Sequence, residues 1–118
     1  MSDKNVRKVF VSLPMRGFEY EAVKNRQLDI FENITSKLNP QFKYELIDTL
    51  HENLCPPDDN PLWYLGLSIQ QLGEADVVIF SKDWRIANGC RAEHLICDMY
   101  GIEYVYEGTE DFYAEDEQ

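Results

Sequence analysis

Glu93 is where a chemical reading of this sequence starts, because it closes the run Asn88-Gly89-Cys90-Arg91-Ala92-Glu93 directly after a short apolar stretch and a polar loop. Val77, Val78, Ile79 and Phe80 are four consecutive apolar residues, mostly β-branched, the pattern of a strand buried on both faces of a parallel sheet. Asn88 is placed to cap the helix that follows. Ala92, Leu95, Ile96 and Met99 recur at helical spacing as its packing face, and Gly101 ends it. Glu93 then lies beside the buried stripe, early in the helix and at the carboxyl edge of the strand, where open α/β sheets bind ligands. A carboxylate there can serve as a nucleophile or a proton carrier, or simply complement the helix dipole.

The neighbouring loop supplies further groups. Asp83, beyond the strand end, is the second carboxylate for acid/base work beside Glu93, whereas Asp76 sits where the strand begins. Trp84 can stack on a flat ring or cap the core. Arg85 and Arg91 can reach an anion or pair with nearby acids. Cys90 stands at a helix start, where thiol pKa values fall, yet neither His51 nor His94 is placed as its base, so it ranks below Glu93 as a nucleophile. A second chemical stretch is Ser12-Leu13-Pro14-Met15-Arg16-Gly17. It joins the strand Val9-Phe10-Val11 to a helix, so backbone N–H groups, a helix N-terminus and Arg16 can converge on an anion. It has neither Walker nor GxGxxG spacing, and Ser12 has no evident histidine partner.

The elements that must position these residues alternate. A helix is predicted from about Glu19, with Val23, Ile30, Phe31, Ile34 and Leu38 on one face and Asn39-Pro40 closing it. A second strand falls within Phe42 to Leu50. The stretch from His51 to Asn60 reads as a loop, Asn60-Pro61 as a helix start, and Leu62, Leu65, Ile69 and Leu72 as a third apolar face. Glu103 to Tyr106 is a last short strand. Alternation with right-handed crossovers predicts an α/β fold, a small flavodoxin-like three-layer sandwich whose parallel sheet has four to five strands in the order 2-1-3-4(-5). In that order the loops Leu13 to Phe18 and Ser81 to Asn88 flank one crevice.

With 118 residues the chain suits one domain, expected over 1–106, followed by an acidic tail over 107–118 that carries six acidic residues with Phe112 and Tyr113. Eleven basic against twenty-two acidic residues leave a net charge of −11, which argues against nucleic acid or an anionic membrane as partner. A small anionic ligand remains compatible, provided a few basic side chains make its pocket locally positive. No apolar run approaches a membrane span, no secretory leader is expected, and Cys55, Cys90 and Cys97 read as reduced thiols of a cytoplasmic protein. The histidines and cysteines share no metal-type spacing, so neither a metal nor a cofactor is expected. Aromatic residues around Trp63 and Tyr64, together with the Glu93 helix, are expected to support a homo-oligomer.

The chain resembles the nucleoside 2-deoxyribosyltransferase-like superfamily, most closely an uncharacterised, phage-rich branch with a PMRG-type loop after its first strand. The matching pieces are Val9-Phe10-Val11-Ser12-Leu13-Pro14-Met15-Arg16-Gly17, Pro61-Leu62-Trp63-Tyr64-Leu65-Gly66, Ala75-Asp76-Val77-Val78, and Trp84 with Asn88-Gly89-Cys90-Arg91-Ala92-Glu93. The resemblance implies a nucleoside or nucleotide ligand and Glu93 as the nucleophile on an anomeric carbon, with Ser12 to Gly17 holding a 5'-phosphate. It also implies that Ser12, Leu13, Pro14, Met15, Arg16, Gly17, Trp84, Asn88, Gly89 and Arg91 line the binding site. Relatives of this kind, including the 2'-deoxynucleoside 5'-phosphate N-hydrolases, cleave or transfer N-glycosidic bonds. Their first-strand tyrosine has no counterpart in Val9-Phe10-Val11, which makes a non-catalytic binding module of the same fold the rival expectation.

Overall fold

The computed structural model describes residues 5–50 and 61–108. Four strands, β1 (Val6–Ser12), β2 (Lys43–Leu46), β3 (Val77–Phe80) and β4 (Tyr104–Tyr106), alternate with three helices, α1 (Tyr20–Thr35), α2 (Pro61–Leu72) and α3 (Asn88–Tyr100). A short 3₁₀ turn, Trp84–Ile86, leads into α3. The sheet is entirely parallel, in the order β2-β1-β3-β4, and the fold is the small flavodoxin-like α/β sandwich. Four strands lie among the described residues. Ser12 ends β1 opposite Phe80 at the end of β3, so the loops after these two strands leave the sheet side by side.

Strand alternation divides the core in two. Val9, Val11, Val77 and Ile79, with Leu13, pack against Val23, Ile30 and Ile34 of α1. On the other face Phe10, Val78 and Phe80 meet Leu72 of α2 and Cys90 and Cys97 of α3. Ser12 lies two residues beyond Phe10 and therefore turns toward α3. It is the last side chain on that face of β1, and although polar it is fully buried.

Several local expectations are corrected. Asn88 does not cap α3: it is the first helical residue, and Ala87 occupies the cap position without a side-chain hydrogen bond. The inward stripe of α3 is Cys90, Glu93 and Cys97 with Ile96 beside them, while Leu95 and Met99 are exposed. The small thiol side chains fit where Phe80 and Trp84 already fill the space, which displaces the more apolar stripe outward. Helix α1 ends at Thr35, short of Leu38, and its buried face includes Gln27, whose amide donates to Thr49 Oγ1 at 2.7 Å. Gly101 does end α3 as expected, in the left-handed conformation at φ 71°, with the Ile102 N–H bonded to the Cys97 carbonyl. Glu107 belongs to the domain and not to the tail: its N–H continues the β4 ladder onto the Phe80 carbonyl, and its carboxylate accepts the Lys82 N–H at 3.0 Å. The expectations for His51, Cys55, Asn60 and the rest of the tail fall outside the described residues.

Among the described residues no helix is long and apolar enough to cross a membrane. The outer surfaces of α2 and α3 carry Leu62, Leu95, Met99 and Tyr100, each more than half exposed, and Ile86 in the turn before α3 is 75 % exposed. Exposed large apolar side chains of this kind are a common mark of an interaction surface. Light scattering at physiological salt is expected to give a dimeric or larger mass, with Leu95→Glu shifting it toward the monomer; a strictly monomeric mass at high concentration contradicts this.

Candidate functional site

The centre of the site is one hydrogen bond between residues 81 positions apart: Ser12 Oγ donates to Glu93 Oε1 at 2.7 Å, and both side chains are buried. Alternation along β1 turns Ser12 to the α3 side, and Glu93, three residues after Cys90, shares that thiol's inward stripe. Burial pushes the Glu93 carboxyl up to about 7, partly opposed by the Ser12 hydroxyl, which favours the charged form. Near neutral pH Glu93 is therefore divided between carboxylate and acid. The Cys90 thiol beside it is pushed up to about 12, chiefly by burial, with the negative charges of Glu93 and Asp83 adding to it. A thiol held that firmly in its protonated form is not a nucleophile at neutral pH.

Asp83 has a different character from the one its loop position suggested. Arg26 of α1 grips it with both arms of the guanidinium, Nη2 to Oδ1 at 2.7 Å and Nη1 to Oδ2 at 3.1 Å, and the Ser81 hydroxyl donates to Oδ1 at 2.7 Å. The Arg26 bond holds the Asp83 carboxyl below the ordinary carboxylate range, with Ser81 assisting against partial desolvation. Asp83 is thus ionised and is a poor proton donor in this arrangement, a correction to its expected acid role. Sequence inspection missed Arg26 altogether. It lies in the polar run Lys24-Asn25-Arg26-Gln27 in the second turn of α1, and no local pattern ties it to a loop 57 residues away.

The remaining expected site residues separate into two places. The loop Ser12 to Gly17 lies at the carboxyl edge of β1 as expected: Leu13 and Pro14 are buried, Met15, Arg16 and Gly17 are exposed, and the Phe18 N–H closes a turn onto the Met15 carbonyl. Gly17 takes φ 88°, a conformation that a side chain would strain. Asn88 is exposed and Gly89 half-buried at the start of α3, and the space a Gly89 side chain would occupy is open. Arg91, however, is two residues from Glu93, roughly 200° around the helix, and so faces away from it. It lines a separate cleft of about 480 Å³ with Trp84, Arg85, His94, Leu95 and Asp98. Trp84 does not offer a free face to the Glu93 crevice either. Its ring stacks on His94 at 4.1 Å, carries the Arg85 guanidinium at 4.8 Å, and caps the core against Phe80. Asp76 is structural, accepting the Lys8 N–H at 2.8 Å. Cys90 and Cys97 are free thiols, and among the described residues no cluster of His, Cys, Asp and Glu could hold a metal ion.

No family model, curated protein or solved structure matches the chain.

The raised Glu93 pKa has a consequence for stability whose sign is fixed. The folded protein holds this proton more tightly than the unfolded chain does. The resulting stabilisation is complete below about 4.5, declines as pH rises, and is lost above about 7. Across that interval the change approaches about 3 kcal/mol. Glu93→Gln stays neutral and can still accept the Ser12 hydrogen. Urea unfolding is expected to find the mutant more stable than wild type at pH 8, with the difference shrinking to nothing by pH 4; a difference independent of pH contradicts the assignment.

Proposed function

We propose that this protein cleaves the N-glycosidic bond of a 2'-deoxynucleoside 5'-monophosphate or a close relative, with Glu93 as the nucleophile at the anomeric carbon. The observation that carries the reading is the buried Glu93 carboxylate, held by one oxygen on Ser12 at the carboxyl edge of the sheet. Fixing Oε1 leaves the other oxygen to attack. Glycosidic cleavage passes through an oxocarbenium-like state that a poised carboxylate stabilises and then traps as a glycosyl ester. As the new C–O bond forms, the C–N electron pair leaves with the base, which takes a proton from solvent. Water, or a second base, then releases the sugar from Glu93. The resemblance to deoxyribosyltransferase-like proteins supports the same assignment, and it also implies a phosphate subsite on the side of the crevice where the loop Ser12 to Gly17 leaves β1.

A second reading, a nucleotide-binding module without turnover, is favoured by one observation: Arg26 keeps Asp83 ionised, so among the described residues no poised acid stands beside Glu93 to protonate the leaving base. The buried, reduced thiols support a reducing compartment such as the cytoplasm under either reading.

Incubation with each common 2'-deoxynucleoside monophosphate separates the two. Wild type is expected to release free base, and Glu93→Gln to lower the rate by several orders of magnitude while retaining binding. The value of kcat/KM should rise with pH up to about 7 and then level, because the ionised carboxylate is the reactive form. A rate that falls through the same range would make Glu93 an acid, and no release by wild type from any substrate would leave the binding module.

A further inference from the structure

Among the described residues Arg26 and Asp83 form the strongest charged pair bordering the crevice, and the glycosidic step as drawn uses neither. Side chains lean toward a helix N-terminus, so Arg26, within the first two turns of α1, reaches back to the carboxyl edge of the sheet. There it meets two acids, Asp83 through both arms and Glu107 Oε1 at 3.8 Å from Nη2. Ser81, whose hydroxyl donates to Asp83 at 2.7 Å, also donates its N–H to the Ser12 carbonyl at 2.9 Å, so the pair lies beside the strand ends that carry the Ser12–Glu93 centre. About a third of each side chain is open to solvent.

The rest of this edge is poorly prepared for an anion. Glu19 at the cap of α1 and Glu21 in its first turn already place negative charge at the helix N-terminus, in a chain of net charge −11. A ligand phosphate therefore needs a cation at the crevice itself, and Arg16 stands exposed out on the turn. The Arg26 fork has the geometry that paired phosphate oxygens fit, and a phosphomonoester carries more charge than a carboxylate. Asp83 can give up the fork without being orphaned, because the Ser81 hydroxyl stays with it at 2.7 Å.

We propose that Arg26 is the residue that reads the ligand's phosphate, and that Asp83 competes with that phosphate for the same guanidinium fork. The inference rests on the proposed nucleotide ligand and deepens it. A phosphate that takes the fork also removes the cation that favours ionised Asp83, so that Asp83 can take up a proton from solvent and pass it to the leaving base.

The test uses 2'-deoxyribose 5-phosphate against 2'-deoxyribose, measured by titration calorimetry on the full chain. Neither probe has a glycosidic bond, so the result is independent of whether the protein cleaves one. A failed base-release assay removes the cleavage reading, whereas a failed Arg26 dependence here removes this one. Asp83→Asn is expected to tighten binding of the sugar phosphate about tenfold and leave the bare sugar unchanged. Arg26→Ala should abolish the preference for the phosphate, and Arg26→Lys, with a charge but no fork, should keep part of it. In the Arg26→Ala background the gain from Asp83→Asn should vanish, which distinguishes competition for the fork from simple removal of a repelling charge. Ser81→Ala, a milder change that loosens Asp83, should tighten binding two- to threefold and covers the case in which Asp83→Asn does not fold. Unchanged or weaker phosphate binding in the folded Asp83 or Ser81 variant, a phosphate preference that survives Arg26→Ala, or no binding of the sugar phosphate to wild type would each overturn the proposal.

Discussion

A carboxyl group buried in a core is expensive unless it is neutralised or hydrogen-bonded, and this protein does some of both at Glu93. One buried hydroxyl, that of Ser12, offsets part of the desolvation, and the balance appears as an affinity for a proton that reaches neutral pH. The rest of the structure can be understood from what that arrangement requires. Ser12 must end a strand with its side chain on the α3 face. Glu93 must lie one turn into a helix whose inward stripe is otherwise small thiols. A larger side chain at Cys90 or Cys97 would lift α3 from Phe80 and separate the pair.

The loops around this centre are fixed by charge as well as by packing. Arg26 ties the β3–α3 loop to α1 through Asp83, and Glu107 ties the end of β4 to the same loop through the Lys82 N–H. Trp84, stacked on His94 and packed near Tyr106, closes the other side of the loop with aromatic surface. The start of α3 is thus clamped between an ionic contact and an aromatic one. Clamping of this kind holds the start of α3, and with it the Glu93 carboxylate, in one place.

The chain order and sheet topology were legible because they rest on short-range signals: the run Val77 to Phe80, the Pro/Gly turn after Val11, and the helical spacing of Val23, Ile30 and Ile34. The placement of Glu93 early in the helix after β3 was legible for the same reason, since strand, loop and helix follow one another locally. Its partner was not. Ser12 was visible as part of an anion loop, but its bond to Glu93 depends on which way β1 alternates and how α3 is rotated. The rotation of α3 was misjudged because Leu95 and Met99 are more apolar than Cys90 and Cys97, and hydrophobicity alone places the larger residues inside. That rotation also sends Arg91 away from Glu93. Arg26 and Gln27 carried no sequence signal, because a polar residue within a helix announces its partner only once a distant loop is in place.

The central claim is that Glu93 is a buried carboxyl poised near neutrality by desolvation and held by Ser12. Its most direct measure is the carboxyl titration by NMR of protein labelled with ¹³C at glutamate Cδ, with Glu93→Gln assigning the resonance. One glutamate is expected to titrate near 7, to be missing from Glu93→Gln, and to move higher in Ser12→Ala, where the bond that favours the charged form is gone. Glutamates that all titrate in the ordinary range near 4.5, or a Glu93 resonance indifferent to Ser12→Ala, would contradict the account.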